Sequence, residues 1–115
     1  MAAAPRPGPV RAMASSRVHD RTLRDLQAER ASALALVTER LEEALRTLAQ
    51  AERALATAPS DAARARRREA LQHAGERLWF LVVQREAAGL RRHEAALEVL
   101  RVPPEVRAAM GPRRR

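Results

Sequence analysis

Residues 34–55 read LALVTERLEEALRTLAQAERAL, and within them Leu34, Val37, Leu41, Ala44, Leu48, Ala51 and Leu55 recur at alternating steps of three and four. That spacing keeps one stripe of an α-helix apolar along its length, the pattern of a long helix lying against a second one. The second is written further along the chain, where Leu71, Ala74, Leu78, Leu81 and Ala88 continue the repeat. Between the two stands Ala58-Pro59-Ser60-Asp61. Proline ends the first helix, and Ser60 or Asp61 supplies the oxygen that caps the next. So short a connection makes the two helices antiparallel. The fold predicted is all-α: a long, coiled-coil-like antiparallel hairpin, capped by one or two short C-terminal helices. Leu at one seam position and Ala at the other (Leu41/Ala44, Leu48/Ala51, Leu71/Ala74) lets large side chains nest over small ones. Gly75, beside Ala74, is expected to draw these two helices closer still.

Composition bounds the function. The chain has 115 residues, enough for one small domain, and a hydrophobic fraction of 46%, above that of a disordered chain. Lys, Asn, Ile, Tyr and Cys are absent while Ala and Arg abound, as a GC-rich genome would produce. With no cysteine there is no disulfide framework, thiol chemistry or zinc knuckle, and a reducing cytoplasm is the expected compartment. No run is apolar enough for a secretory signal or a membrane span. The net charge of +8 sits mostly in the tails: Arg6, Arg11 and Arg17 give +3 and Arg113 to Arg115 another +3, leaving +2 for residues 20–112. Tails of this kind add salt-sensitive, sequence-independent affinity for polyanions, not specific readout.

The organisation predicted has a disordered Pro/Arg-rich arm over 1–18, a single helical domain over 19–111, and a basic tail over 112–115. Pro5, Pro7, Gly8 and Pro9 argue for the arm. Met1 and Met13 are both candidate starts. Within the domain, helices are expected at about 20–57, 61–88, 92–100 and 104–110. Pro104 at a first helical position with Glu105 beside it, then Val106 and Met110 four apart and Gly111 as terminator, describe the last of them.

Two clusters stand out from the seam. Arg64, Arg66, Arg67 and Arg68 form the densest basic group, at the start of the second helix where positive charge opposes the helix dipole. They are polyanion candidates, although no aromatic lies among them to stack a base. The run Leu78-Trp79-Phe80-Leu81-Val82-Val83 wraps the whole circumference of a helix that its partner covers on one side only. Trp79, Phe80 and Val83, with Val106 and Met110 from the C-terminal stripe, are therefore the interface candidates. The stripe of Val106 and Met110 is a candidate cover for Trp79, and a homodimeric four-helix bundle is another solution.

Residues 84–111 contain Gln84-Arg85-Glu86, Gly89-Leu90-Arg91, His93-Glu94, Val102-Pro103-Pro104-Glu105-Val106 and Met110-Gly111 in succession. The stretch resembles a family of short, uncharacterised bacterial helical proteins, a domain of unknown function, with a looser likeness through the two long helices. It departs from that pattern at Leu100-Arg101, where an aromatic and a glycine are expected. The resemblance implies an all-helical fold and no activity.

Gly89 is expected to end the second helix in a left-handed cap. Around it, Arg85, Glu86, Arg91 and His93 are placed to form a polar clasp at the corner. A catalytic His-Glu pair is the rival reading of Glu86 and His93, but no nucleophile stands at readable spacing. His73, with Glu69 and Arg77 one turn away, reads as a solvated histidine, and no metal-ligand spacing is present. The sequence thus predicts no catalytic, cofactor-binding or metal residues. It predicts a cytoplasmic, non-enzymatic interaction or structural module that self-associates or binds another protein. The alternative is a nucleic-acid-associated protein using Arg64 to Arg68 and the tails.

Overall fold

The computed structural model describes residues 9–112, with side chains from Ser16 onward. Four helices follow one another: α1 (Pro9–Thr57), α2 (Asp61–Ala87), α3 (Glu94–Val99) and α4 (Pro104–Ala108). The fold is all-α, with α1 and α2 packed against each other and short helices at the C-terminal end. Two units are distinguished, Met1–Ser32 and Ala33–Arg115.

In the first unit α1 begins at Pro9, so the arm expected over 1–18 is helical from that residue on; residues 1–8 lie outside the described residues, as does the question of Met1. Proline fits here because the first turn of a helix does not use its own N–H groups, and the fixed φ of the ring is already helical. The side chains of Ser16 to Ser32 are all exposed, Val18, Leu23 and Leu26 among them. A heptad extended upstream from Leu34 meets Gln27 and Arg30, so the apolar stripe does not continue.

The second unit is built on the seam. Leu41, Ala44, Leu48 and Ala51 from α1 and Ala70, Ala74, Leu78 and Leu81 from α2 are buried in one cluster, with Leu34, Val37, Leu45 and Leu71 packed at its margin. Leu41 and Leu78 are fully buried, so truncating either to Ala removes contact on all sides, about 2–5 kcal/mol in a packed core. The turn is fixed by Ser60, whose backbone is extended and whose hydroxyl accepts the amide of Ala63 at 3.0 Å. Asp61 follows in the first turn of α2 and pairs with Arg64 at 2.6 Å.

The C-terminal segment completes this core. Leu97, Val102 and Val106 insert into the same cluster, and α4 packs on α2. Gly75 explains how α4 gets so close. A Cβ at that position would sit 2.7 Å from the carbonyl carbon of Ala109 and nearer still to its oxygen. Gly111 returns an amide to the Gly75 carbonyl at 3.4 Å. Gly75 therefore admits α4, whereas Ala74 lies in the α1–α2 seam; the expectation that Gly75 brings the two long helices together is corrected on this point.

The helix ends show why the cap has its shape. After α2, Gly89 has φ 86°, its amide donates to the Glu86 carbonyl, and Leu90 donates to Arg85, both at 2.9 Å. The same motif closes α3, with Arg101 donating to Glu98 and Val102 to Leu97, both at 3.0 Å. This is the arrangement in which a left-handed residue follows the helix and the next side chain packs back on it. Here the left-handed residue is Arg101, φ 54°, at the position where the resemblance expects glycine, and Val102 meets Leu97 in the core. The α3 and α4 helices are shorter than the expected 92–100 and 104–110 because each gives up its ends to such turns and caps.

Two substitutions should act in opposite directions in urea unfolding. Gly75→Ala is expected to destabilise by roughly 1–3 kcal/mol, since α4 must move to admit one methyl group. Arg101→Gly is expected to stabilise by up to about 1 kcal/mol, because it removes the steric penalty of a side chain in the left-handed region.

Candidate functional site

The corner between α2 and α3 brings together four of its five predicted residues, Arg85, Glu86 and His93 around the turn at Gly89. Reversal at Gly89 sets Arg85 and Glu86, from the last turn of α2, against His93, which precedes the first turn of α3. Arg85 Nε donates to His93 Nδ1 at 3.0 Å, and its Nη2 donates to the Arg92 carbonyl at 2.8 Å. His93 Nε2 lies 3.4 Å from Glu86 Oε1. Since a guanidinium can only donate, Nδ1 must accept, which leaves the imidazole proton on Nε2 and directed at Glu86. Neither ring nitrogen then presents a lone pair to an incoming group. The ring is mostly covered, its side chain 17% exposed. Arg91 is exposed and stands outside the clasp.

The four clustered arginines do not share one surface. Consecutive positions step around a helix, so Arg64 turns to Asp61 while Arg67 reaches both Glu52 on α1, at 3.5 Å, and Glu105 on α4. Arg107 of α4 in turn pairs with Glu94 of α3 at 2.9 Å. Arg67 thereby links three helices, and Arg107 adds the fourth. Exposed pairs of this sort contribute little energy singly, typically about 0–1 kcal/mol. Arg66 and Arg68 are exposed.

The interface candidates divide. Val106 is fully buried and belongs to the core, which removes it from any surface; α4 turns that side chain inward because Gly75 lets the helix approach. Trp79 is half-buried, while Phe80, Val83 and Met110 are 37%, 41% and 44% exposed. The Trp79 and Phe80 rings lie 5.2 Å apart and tilted, and the Arg77 guanidinium stands 5.8 Å from the centre of the Phe80 ring. On α2, then, the seam takes Leu78 and Leu81, α4 takes Gly75, and the side carrying Phe80 and Val83 stays open.

Residues 20–115 match a family of unknown function, DUF6665. The chain belongs to that family. No curated protein and no solved structure gives a significant match. Among the described residues of this DUF6665 chain no helix is long and apolar enough to cross a membrane, and no group of three or more His, Cys, Asp or Glu residues is placed to hold a metal ion.

Two depressions were not predicted. A shallow cleft of about 580 Å³ runs between α1 and the α3–α4 link, with Leu45, Leu48, Leu100 and Pro103 in its floor and Glu42, Arg46, Glu52 and Arg101 around them. A smaller groove of about 210 Å³ crosses α1 and α2 and is lined by Arg40, Glu43, Ala44, Thr47, His73 and Arg77. His73 is thus half-buried in a groove and not on an open face. The signal was present in the sequence: Arg40 directly precedes the seam residue Leu41 and Arg77 directly precedes Leu78, so both flank the seam.

Arg85→Ala is expected to lower stability by about 1–2 kcal/mol, because a part-buried imidazole and a backbone carbonyl lose their charged donor. Arg91→Ala should change it by less than about 0.5 kcal/mol, as surface substitutions do. Urea midpoints of the two variants, with amide exchange at residues 89–93 faster in Arg85→Ala alone, check this.

Proposed function

We propose that this DUF6665 member is a non-enzymatic protein–protein interaction module of a bacterial cytoplasm, assembled as a homodimer through the outer face of α2. The observation that carries the reading is the open side of α2, where Phe80 and Val83 remain over a third exposed although the seam and the docked α4 have covered the other sides. Contiguous aromatic and aliphatic surface anchors interfaces, and two helices with a Leu/Ala seam bury little apolar area by themselves. A second copy would bring four long helices together and add apolar burial. In the first unit, Val18, Leu23 and Leu26 are also exposed on a helix whose described side chains find no cover, and an isolated helix of that kind is marginal in water.

A non-enzymatic role is supported by the corner, where Arg85, Glu86 and His93 satisfy one another and present no free lone pair on the ring. Nucleic-acid association through Arg64 to Arg68 has less support, since Arg64 and Arg67 are engaged with Asp61, Glu52 and Glu105. The basic tail ends at Arg113 to Arg115, outside the described residues.

Size-exclusion chromatography with light scattering on the full chain tests both readings. A nucleic-acid-free mass of two chains is expected, reverting to one chain in Phe80→Glu/Val83→Glu with the helical spectrum intact. A monomeric parent at high concentration would overturn the homodimer. A peak that carries nucleic acid and sheds it with added salt would favour the polyanion reading instead.

A further inference from the structure

We propose that the groove between Arg40 and Arg77 binds an oxyanion of the phosphate class. In an antiparallel helix pair, residues flanking the seam on the same side face each other, and opposite charges are the favourable choice there. Glu52 and Arg67 make that choice across the same two helices. Arg40 and Arg77 do not: two guanidinium groups from facing helices line one groove with His73, Thr47 and a single carboxylate, Glu43. Among the described residues none of these charged groups is in an ion pair, Glu43 included, so the two cations share one groove without a counter-charge at contact distance.

Thr47 adds an independent observation. Thr22, Thr38 and Thr57 each donate their hydroxyl to the carbonyl four residues back, at 3.0, 2.8 and 2.9 Å. Thr47 makes no such bond, and it is the threonine that lines the groove. Two planar guanidinium groups, an imidazole and a free hydroxyl make a donor set suited to a tetrahedral oxyanion. Arg77 is steadied by the Phe80 ring beneath it, which limits the ordering needed on binding. A volume of about 210 Å³ is below the size of pockets that enclose drug-sized ligands and suits one phosphoryl group with its waters. Glu43 weakens the field and sets the affinity low. The site adjoins the apolar face assigned to self-association, since Phe80 belongs to that face and lies against Arg77, but its donor groups all line the groove.

The test is an amide-resolved titration of the full chain with inorganic phosphate and with phenyl phosphate, each against sodium chloride at matched ionic strength. Saturable shifts at Thr47, His73 and Arg77 are expected with inorganic phosphate. Arg40→Gln/Arg77→Gln should weaken binding about tenfold or more, as loss of charge-assisted bonds requires, and Glu43→Gln should strengthen it. The double variant also removes two like charges from one groove, so its melting temperature should not fall, which separates lost binding from lost folding. Arg66→Gln serves as the control and should bind as the parent does. Binding of phenyl phosphate as well would show that the site takes a phosphoryl group carried on a larger molecule, and binding of inorganic phosphate alone that it takes the free ion. Shifts that match chloride, fail to saturate, or survive in the double variant would overturn the proposal.

Discussion

The close contact of Ala44 and Ala74 with the leucines around them is the constraint from which the rest of this molecule follows. Small residues at alternate seam positions let Leu41, Leu48, Leu78 and Leu81 bury between two helix backbones held at short range by the Ser60 turn. One residue beyond Ala74, the same economy of volume is repeated toward another neighbour. Gly75 opens the side of α2 to the carbonyl of Ala109, and α4 settles there with Val106 pointed into the seam cluster. A hairpin and a cap thus share a single core, because adjacent residues of α2 serve two different partners.

That allocation decides what α2 has left to offer. With the seam and the α4 side filled, Phe80 and Val83 are the exposed part of the apolar run, and Arg77 lies beside Phe80 at the edge of a groove. The Gly89 corner is different in kind. Its polar groups are consumed in holding the chain's reversal, and Arg67 and Arg107 are likewise engaged, in ion pairs with Glu105 and Glu94. Apolar surface and unpaired cations, in contrast, are what a partner or a ligand can use.

Much of this was legible in the residues themselves. The alternating spacing from Leu34 to Leu55 and from Leu71 to Leu81 gave the hairpin, because burial on one side of a helix leaves a period in the sequence. Pro59, Ser60, Gly89 and Pro104 marked the breaks, because each has a backbone or capping preference that acts locally. What could not be read depends on which distant element covers a given side. Val106 looks the same in sequence whether it faces water or the seam, and Gly75 does not say which helix it admits. Arg67 gave no sign that it would meet Glu105, nor Arg101 that the α3 turn would place it in the left-handed region. α1 starts at Pro9 and not near residue 20 because a proline that opens a helix looks the same in sequence as one that excludes it. The groove at Arg40 and Arg77 is not visible along one helix, because its lining comes from both α1 and α2.

The central claim is that α4 belongs to the same core as the seam and is not an appendage to it. Native-state amide exchange under increasing denaturant tests this most directly, at Leu48, Leu78, Val106 and Ala109. If the claim holds, all four amides reach exchange through one opening of common free energy and denaturant dependence. If Val106 and Ala109 exchange through a separate opening of much lower free energy while Leu48 and Leu78 stay protected, the cap is an independent element and the account built on Gly75 is wrong.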